Sequence, residues 1–496
     1  MSLSRRDFAV RSALTGAGVA IVGSAGVLAT APGGLSSAAA EPLDAAGNGS
    51  GAGNGERGTR GYGPLVPDPD GLLALPAGFA YRVLTRSGET TLETGESTPS
   101  NHDGTATFEG PRGSVLLVNN HELKGPRANW KHPVPLTEGL VYDPAASGGC
   151  TVVEVAGGAG KGGGRGGHVT EWVGIAGTST NCAGGRTPWG TWLTCEENTD
   201  RAGENGMTKD HGYVFEVDPY DRRANRNPKP LKALGRYDHE AVVVDPKRGH
   251  LLLTEDASGP NGLLYRWVPP HGFRHGRGKL RGLADDAGVL QAMKCSDSGG
   301  RFVDDLSRAT RPGTVYGVDW AEVPERDARE TDVRAQFGDG EVTRARKLEG
   351  MWWADGGAYV VSSYAREDDS PGAPHDGQVW FYDPRHRTLT LKVLLSVNAD
   401  PSKDGAFDGP DNITVSPYGG LVIAEDGEGV QHLFGATDDG ATYPIARNEL
   451  NLGTPDDPSY SEFTGVVFSP DGKTLYANIQ DPGIMFAITG PWRRQR

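Results

Sequence analysis

Short apolar runs of the β-strand type recur along the chain, and six of them end in polar or acidic residues. In one-letter code they are SVLLVNNHE (114–122), GTWLTCEEN (190–198), GHLLLTED (249–256), GAYVVSSY (357–364), GGLVIAEDGEG (419–429) and KTLYANIQD (473–481). Turn sequences such as DPKRG, SPYGG and SPDGK lie just upstream of several of these runs. Second runs that close on Asp-Pro, such as GYVFEVDP and GQVWFYDP, follow some of them. This pattern predicts repeated antiparallel hairpins.

The spacing of the six runs predicts a repeat architecture. Most ends are roughly 55–75 residues apart, and a four-stranded blade with its loops needs roughly 40–60 residues. One longer gap contains the charged, irregular segment 321–341, which its composition marks as an insertion. We therefore predict an all-β fold, a six-bladed β-propeller with long loops. A β-sandwich is the alternative, but it would not gather six strand ends around one axis.

Composition agrees with an all-β chain. Among 496 residues there are 74 glycines and 34 prolines, and no long stretch has the apolar period of a helix. The net charge is −15, or about −17 without residues 1–40, which carry three arginines and one aspartate. Such an acidic chain is a poor nucleic-acid binder.

The N-terminal segment predicts export. Arg5 and Arg6 precede an uncharged apolar run at 12–31, and Ala38 and Ala40 offer a small-residue cleavage site. We interpret residues 1–40 as a twin-arginine signal peptide, with an ordinary secretory signal as the alternative. Glycine and alanine make the run too weakly hydrophobic for a permanent membrane anchor. The mature protein is expected to be periplasmic, on the cell surface or extracellular.

Two further segments complete the predicted organisation. Residues 41–62 are Gly-rich and almost free of large apolar side chains, which predicts a disordered linker. Residues 63–496 are expected to form a single catalytic propeller domain.

In a propeller the acidic strand ends would meet at one end of the central channel. The acids so collected are Glu122, Glu196, Glu197, Glu255, Asp256, Glu425, Asp426 and Asp481. The stretches YDHEAVVVDP and RARKLEGMWW add Glu240 and Glu349, each directly before a β-type run. So many carboxylates repel one another strongly unless cations neutralise them. The sequence therefore predicts metal binding.

The types of ligand leave the metal open. Carboxylates and asparagines suit calcium, whereas a thiolate suits a softer transition metal. The four cysteines are Cys150, Cys182, Cys195 and Cys295, and outside the cytoplasm one or two disulfides are the simplest expectation. His121 and His239 each precede a glutamate, and we expect them to hydrogen-bond ligands rather than bind metal.

Several of these stretches resemble the PhoX-type alkaline phosphatases. They are NNHE, NCAGGRTPWGTWLTCEEN, YDHEAV, LEG, DNITVSPYGGLVIAEDG and FTGVVFSPDGKTLYANIQDPG, spread over residues 119–483. The resemblance implies a six-bladed propeller exported by the twin-arginine route. It also implies a phosphomonoesterase with two ferric irons (Fe3+) and several calcium ions (Ca2+), in which a cysteine thiolate joins the irons.

The resemblance assigns candidate residues. It places the iron-bridging thiol at Cys182 or Cys195, with Cys182 favoured because we expect it on a Gly-flanked loop. The implied carboxylate ligands are Glu197, Glu240, Glu349 and Asp481, followed by Glu122, Glu196 and Glu425. The segment RARKLEG would contact phosphate through Arg344, Arg346 or Lys347, and the expected catalytic residues are Arg346, Lys347 and Glu349. The chain is shorter than the well-studied members.

The expected protein is thus a secreted, monomeric phosphatase that acts on small phosphate esters. Two alternatives belong to other classes. A calcium-dependent, lactonase-like hydrolase would need one calcium and no thiolate. A calcium-stabilised secreted binding propeller would present an exposed aromatic face, for which Trp352 and Trp353 are candidates.

Overall fold

The computed structural model describes residues 60–156, 167–364, 376–396, 398 and 404–495. The predicted signal peptide and nearly all of the predicted linker lie outside these residues. The described part of the chain is built from strands and six short 3-10 helices. The helices are Pro111–Gly113, Arg127–Asn129, Lys232–Leu234, Leu280–Gly282, Leu306–Arg308 and Val333–Gln336. None of the helices in the described ranges has the length and apolar character needed to cross a membrane.

The strands follow one another as short antiparallel segments. The first fourteen are β1 (Leu65–Val66), β2 (Leu73–Pro76), β3 (Ala80–Arg86), β4 (His102–Glu109), β5 (Val115–His121), β6 (Gly148–Val155), β7 (Val169–Thr178), β8 (Asn181–Arg186), β9 (Trp192–Glu196), β10 (Val214–Val217), β11 (His239–Val244), β12 (Leu251–Glu255), β13 (Leu264–Val268) and β14 (Val289–Ser296). The others are β15 (Phe302–Val303), β16 (Val315–Glu322), β17 (Leu348–Ala354), β18 (Gly357–Ser362), β19 (Asp376–Asp383), β20 (Thr388–Leu395), β21 (Pro410–Val415), β22 (Leu421–Glu425), β23 (His432–Ala436), β24 (Thr442–Asn448), β25 (Phe463–Phe468), β26 (Thr474–Ile479) and β27 (Ile484–Thr489).

These strands form five hydrogen-bonded sheets in a propeller-like, all-β arrangement. Two of them are the meanders β4 to β7 and β8 to β10. A ten-stranded sheet contains the meanders β11 to β14 and β17 to β20, which β16 joins by pairing with β14 and β20. The six-stranded sheet orders β1-β2-β24-β23-β22-β21, and the last sheet orders β25-β26-β27-β3. Six separate sheets were expected, and the bridging strand β16 reduces the number to five.

The last sheet is completed by the N-terminal part of the folded chain. β3 pairs antiparallel with β27, and Arg86 lies opposite Ile484. The apolar residues of this sheet, such as Phe486 and Ile488, are fully buried. The third strand of the chain and its last strand are therefore held in one sheet.

Asp-Pro turns set the spacing of several strands, as the sequence predicted. After β11, the carboxylate of Asp245 accepts hydrogen bonds from the backbone N–H groups of Lys247 and Arg248, at 2.8 and 3.0 Å. Asp383 makes the same pair of bonds after β19, to Arg385 and His386. An aspartate side chain that bonds the backbone two or three residues ahead stabilises a tight reversal of the chain.

The first strands of the meanders contact one another in a closed ring. We call β4, β8, β11, β17, β21 and β25 the inner strands, and each contacts the next in this order, with β25 returning to β4. They line a cavity of about 330 Å³. Large side chains such as Trp267 and Trp380 are fully buried farther out, between and within the sheets. The N-terminal ends of the inner strands therefore converge around one axis.

Candidate metal centre

Every inner strand breaks its ladder at the same place, near its N-terminal end. The pairing register shifts between His102 and Thr105, Asn181 and Gly184, His239 and Val242, Leu348 and Met351, Pro410 and Ile413, and Thr464 and Val467. Each shift leaves two residues out of the ladder. A β-bulge of this kind re-aims a side chain and is common beside active sites.

In five of the six inner strands the first unpaired residue carries a metal-binding group. These residues are Asp103, Cys182, Glu240, Glu349 and Asp411. The residue that follows is small or short: Gly104, Ala183, Ala241, Gly350 and Asn412. A Cβ atom on Gly104 would lie 2.7 Å from the Cα of Ala183, and one on Gly350 would lie 2.7 Å from the carbonyl oxygen of Asp411. The small residues let neighbouring strands approach closely, which brings the ligating groups together.

Seven residues form three overlapping groups, in each of which the ligand atoms all lie within 4.8 Å of one another. The groups are Cys182–Glu197–Glu240, Glu240–Glu349–Asp411 and Asp411–Asp426–Glu462. Glu240 and Asp411 each belong to two groups. We call these seven residues the ligand cluster.

The electrostatics of the ligand cluster are unfavourable without cations. Burial, and then the neighbouring acids Asp411, Glu349 and Glu197, raise the pKa of Glu240 well above its usual range. Burial followed by the charge of Glu349 has the same effect on the pKa of Asp411. A carboxylate near several like charges gives up its charge unless a cation is present.

The carboxylate of Glu240 is buried without hydrogen-bond donors. The residue is 0% exposed, and neither carboxylate oxygen has a hydrogen-bond partner among the described residues. Asp103 is 1% exposed, and its Oδ1 also has no hydrogen-bond partner among the described residues. Buried polar atoms are almost always paired, so unpaired carboxylate oxygens that face a group of ligand atoms are the expected condition of a metal site.

The residues directly after the second strands of the meanders surround the ligand cluster. Glu197 and Asp426 belong to it. Glu122 accepts a hydrogen bond from Nε2 of Gln480 at 2.6 Å, and the same nitrogen lies 3.2 Å from Oδ2 of Asp103. Burial raises the pKa of Glu122 to about 7, an effect that Lys124 opposes and Asp426 reinforces. Gln480 thus joins two acids beside the ligand cluster.

The basic residues expected to contact phosphate divide into two kinds. The ammonium nitrogen of Lys347 lies 3.0 Å from Oδ2 of Asp256 and 3.3 Å from Oε1 of Glu349. Arg346, the preceding residue, is partly exposed. Arg344 instead donates to backbone oxygens, among them those of Asn261 and Arg334, at 3.0 and 3.1 Å. Lys347 is therefore beside the ligand cluster, whereas the guanidinium of Arg344 supports the backbone.

The two candidate cysteines occupy different places. Cys182 belongs to the ligand cluster, and it lies in the bulge of β8 rather than on the loop that the sequence suggested. Cys195 is 0% exposed and packs in an apolar core with Leu193 and Val214. All four cysteines are free thiols, so the structure contains none of the disulfides that an exported chain would be expected to form.

Four predicted carboxylate ligands lie outside the ligand cluster. Glu196 and Glu425 are buried in hydrogen-bond networks of their own. Asp481 is partly exposed, and its backbone N–H donates to Oγ of Ser461 at 2.9 Å. Glu122 borders the cluster without belonging to its groups. The predicted ligand roles of Glu196, Glu425 and Asp481 have no support in this geometry.

The two histidines make hydrogen bonds with the protein. The ring of His121 lies 2.9 Å from the carbonyl oxygen of Ser100 and 2.9 Å from Oγ1 of Thr151. The ring of His239 lies 3.1 Å from the carbonyl oxygen of Gly235. Neither histidine belongs to a ligand group or hydrogen-bonds a member of one.

The sequence interpretation missed Asp103, Asp411, Glu462 and Gln480. A usable signal existed for two of them. Glu240-Ala241 and Glu349-Gly350 place an acid and then a small residue directly before a β-type run, and Asp103-Gly104 repeats that pattern. Asp411-Asn412 is a looser copy. Glu462 and Gln480 have no comparable signal.

Comparisons with known proteins place this geometry in a family. The family model of the alkaline phosphatase PhoX matches residues 60–483. The structure of Pseudomonas fluorescens PhoX in complex with vanadate, a transition state analogue, matches with a TM-score of 0.62 at 20% sequence identity, over 87% of this chain and 98% of that chain.

Two other structures match more distantly. A putative gluconolactonase has a TM-score of 0.38 at 13% identity, over 87% of this chain and 99% of that chain. The PQQ domain of pyranose dehydrogenase from Coprinopsis cinerea has a TM-score of 0.38 at 12% identity, over 85% of this chain and 98% of that chain. A search of curated proteins returns no match. Since the family model spans nearly the whole described chain, the protein belongs to the PhoX family of alkaline phosphatases.

Proposed function

We propose that this phosphatase releases phosphate from small organic phosphate esters at an iron–calcium centre held by the ligand cluster. The observation that carries the proposal is the state of Glu240, which is fully buried, shared by two ligand groups and unpaired at both oxygens. Multivalent cations would satisfy this carboxylate and offset the repulsion among its neighbours.

The donor atoms favour two kinds of metal. The group of Cys182, Glu197 and Glu240 combines a thiolate with carboxylates, a set that suits a transition metal such as iron. The group of Asp411, Asp426 and Glu462 offers only oxygen, which suits calcium. Glu240 and Asp411 would link the two kinds of site.

The bound cations would neutralise the charge that develops on the phosphate oxygens during hydrolysis. Lys347 supplies a positive charge from the chain itself. Its ammonium lies between Asp256 and Glu349, and an arriving phosphate would take over part of its hydrogen bonding. Ser363 donates a hydrogen bond of 2.5 Å to Oε1 of Glu349 and so orients that carboxylate. Arg346, one residue before Lys347, is the second candidate for holding the phosphate.

The test of the proposal combines activity with elemental analysis. The purified mature protein should hydrolyse p-nitrophenyl phosphate in the presence of calcium and lose that activity to a chelator. It should contain calcium and about two irons per chain, by analogy with the metal content that the family resemblance implies. A metal-loaded protein that leaves phosphate esters untouched would remove the assignment.

Replacing Lys347 tests the phosphate contact. We expect Lys347→Met to lower kcat/KM for p-nitrophenyl phosphate by about 100-fold, the size of effect seen when one stabilising donor is removed from an active site. Iron and calcium content should stay at the wild-type level. Lys131→Met, which removes an exposed lysine, is the control and should be unchanged. Equal kinetics in the two variants would exclude Lys347 from phosphate binding.

The finer organisation is part of the proposal. The closed ring of six inner strands and their six equivalent bulges favour a six-bladed propeller, in which β16 joins two blades into the ten-stranded sheet. We propose that residues 63–496 form this monomeric domain, that residues 41–62 are a linker and that residues 1–40 are a twin-arginine signal. The mature protein would then be periplasmic, on the cell surface or extracellular. An exported form that begins at Glu41 and elutes as a monomer is the expected result.

A further inference from the structure

The charged insertion at 321–341 packs onto the protein, despite its composition. It begins at the end of β16 and contains the 3-10 helix Val333–Gln336. Val333 is 0% exposed, and Phe337 is 8% exposed. Both belong to the same apolar core as Leu251 and Leu253 of β12. The insertion is therefore held against the meander that supplies Glu240.

One arginine of the insertion reaches two acids, the fully buried Glu255 and the partly exposed Asp238. The side chain of Arg334 is 11% exposed, and its Nη1 lies 3.2 Å from Oδ2 of Asp238 and 3.1 Å from Oε1 of Glu255. Its Nη2 lies 3.1 Å from Oδ2 of Asp332. The backbone oxygen of Arg334 accepts a hydrogen bond of 3.1 Å from Arg344. The arginine is thus fixed through both its side chain and its backbone.

The two acids mark the ends of adjacent strands. Asp238 directly precedes β11, and Glu255 is the last residue of β12, opposite His239 in the ladder. Burial raises the pKa of Glu255 to about 7, and Arg334 opposes that rise. Glu240 is the second residue of β11, two residues after Asp238, and Asp256 directly follows Glu255. Arg334 therefore joins the two strand ends from which both residues project.

We propose that Arg334 is a positioning residue that holds the ends of β11 and β12 together, so that Glu240 keeps its place in the ligand cluster and Asp256 keeps its place beside Lys347. The inference rests on the proposed function, because it takes Glu240 to be a ligand. Arginine suits this role because its planar, forked guanidinium bonds two carboxylates at once, whereas a lysine ammonium offers a single point of charge.

The decisive variant is Arg334→Gln, assayed for metal content and for kinetics. We expect iron and calcium per chain to fall and kcat to fall by about 10- to 100-fold, the usual effect of removing an outer partner of metal ligands. KM for p-nitrophenyl phosphate should stay within about twofold, because the proposed role of Arg334 is to position Glu240 and Asp256 rather than to bind the substrate. An arginine that only attracts the anionic substrate would raise KM in a salt-dependent way and leave kcat and metal content intact, and that result would overturn the proposal.

Matched variants separate positioning from general damage. Arg329→Gln removes an arginine of the same insertion that is 75% exposed, and it should match the wild type in kcat and metal content. Arg334→Lys should fall between wild type and Arg334→Gln. If far-UV circular dichroism shows that Arg334→Gln does not fold, Asp238→Asn tests the proposal in its place, with the same measurements of metal content and kcat. That variant removes one of the two joined carboxylates, so it should lose metal and kcat to a smaller extent, and wild-type values would overturn the proposal.

The result also separates this inference from the proposed function. A wild-type protein that binds iron and calcium but hydrolyses no phosphate ester would contradict the function, while the metal content of Arg334→Gln would still test the positioning role. An active wild type and an Arg334→Gln variant with unchanged metal and kcat would contradict the positioning role alone.

Discussion

Glu196 and Glu240 are both 0% exposed, on strands of neighbouring sheets, and their surroundings are opposite. Glu196 accepts hydrogen bonds from the backbone N–H groups of Ser179, Gly212 and Tyr213, at 3.0, 2.9 and 3.1 Å, and lies 2.6 Å from the ring of His211. Glu240 has none of these partners and is instead surrounded by other ligand atoms. A buried acid with its own donors belongs to the framework, whereas a buried acid without donors is suited to a cation.

The same contrast holds at the end of β22. Glu425 accepts hydrogen bonds from the backbone N–H groups of Asp408 and His432, at 2.7 and 2.8 Å, and its carboxylate lies 2.9 Å from Nδ1 of His432. Asp426, the next residue, belongs to the ligand cluster. Successive residues of a strand point to opposite sides, so one member of each acidic pair serves the framework and the other serves the site.

The largest effect should come from Glu240→Gln. We expect loss of iron and calcium and a fall in kcat of more than about 100-fold, beyond the range for outer partners of ligands. In metal-free protein the same change should leave the free energy of unfolding unchanged or raise it, because the raised pKa of Glu240 already favours a neutral side chain there and the amide removes any remaining repulsion. Elemental analysis, steady-state kinetics and urea denaturation in a chelator measure the three quantities. Wild-type metal content in the variant would show that Glu240, like Glu196, is a framework acid and not a metal ligand.

Glu196→Gln should show the opposite pattern. The substitution breaks the buried charge pair between Glu196 and His211. Breaking such a pair costs about 3–5 kcal/mol, so the free energy of unfolding should fall by roughly that amount. Metal content per folded chain should be retained, because Glu196 lies outside the ligand cluster. Urea denaturation and elemental analysis check both points. A variant of wild-type stability that has lost iron would show that Glu196 is a ligand.

A smaller effect is expected from pH through His211. Burial favours the neutral ring, but Glu196 and then Asp143 outweigh it and raise the pKa of His211 to about 9. The folded pKa lies above the ordinary value of 6.5, so the stabilisation is complete below about pH 6.5 and is lost as pH rises through 9. The shift corresponds to about 3 kcal/mol. The difference in unfolding free energy between wild type and His211→Asn should therefore shrink between pH 7 and pH 10. A difference that is constant over this range would show that His211 is neutral in the folded protein.

Much of the fold and part of the site follow from the sequence. Asp-Pro turns and period-two runs predict the strands, and an acid before such a run predicts Glu240 and Glu349. The bulges are not visible in the sequence, because they depend on pairing between strands. Cys182 therefore looked like a loop residue, although it lies in the bulge of β8.

Register explains other differences between prediction and structure. In an acidic pair such as Glu196-Glu197 the sequence does not tell which residue faces the channel, since a shift of one residue exchanges the two faces. At the end of β26 the same uncertainty made Asp481 the candidate, whereas the side chain beside the cluster is that of Gln480. The role of Arg334 could not be predicted from the sequence for another reason. Its partners Asp238 and Glu255 lie about 80 to 95 residues earlier in the chain.

The pairing of β3 with β27 fixes the order in which the protein can mature. Arg86 and Ile484 must meet before the last sheet is complete, and Glu462 and Gln480 come from the same late part of the chain. Contacts between residues so distant in sequence form slowly, because closing a long loop costs entropy. A chain whose final strands have not yet been synthesised lacks Glu462 and Gln480, so we expect the complete metal centre to form only at the end of folding.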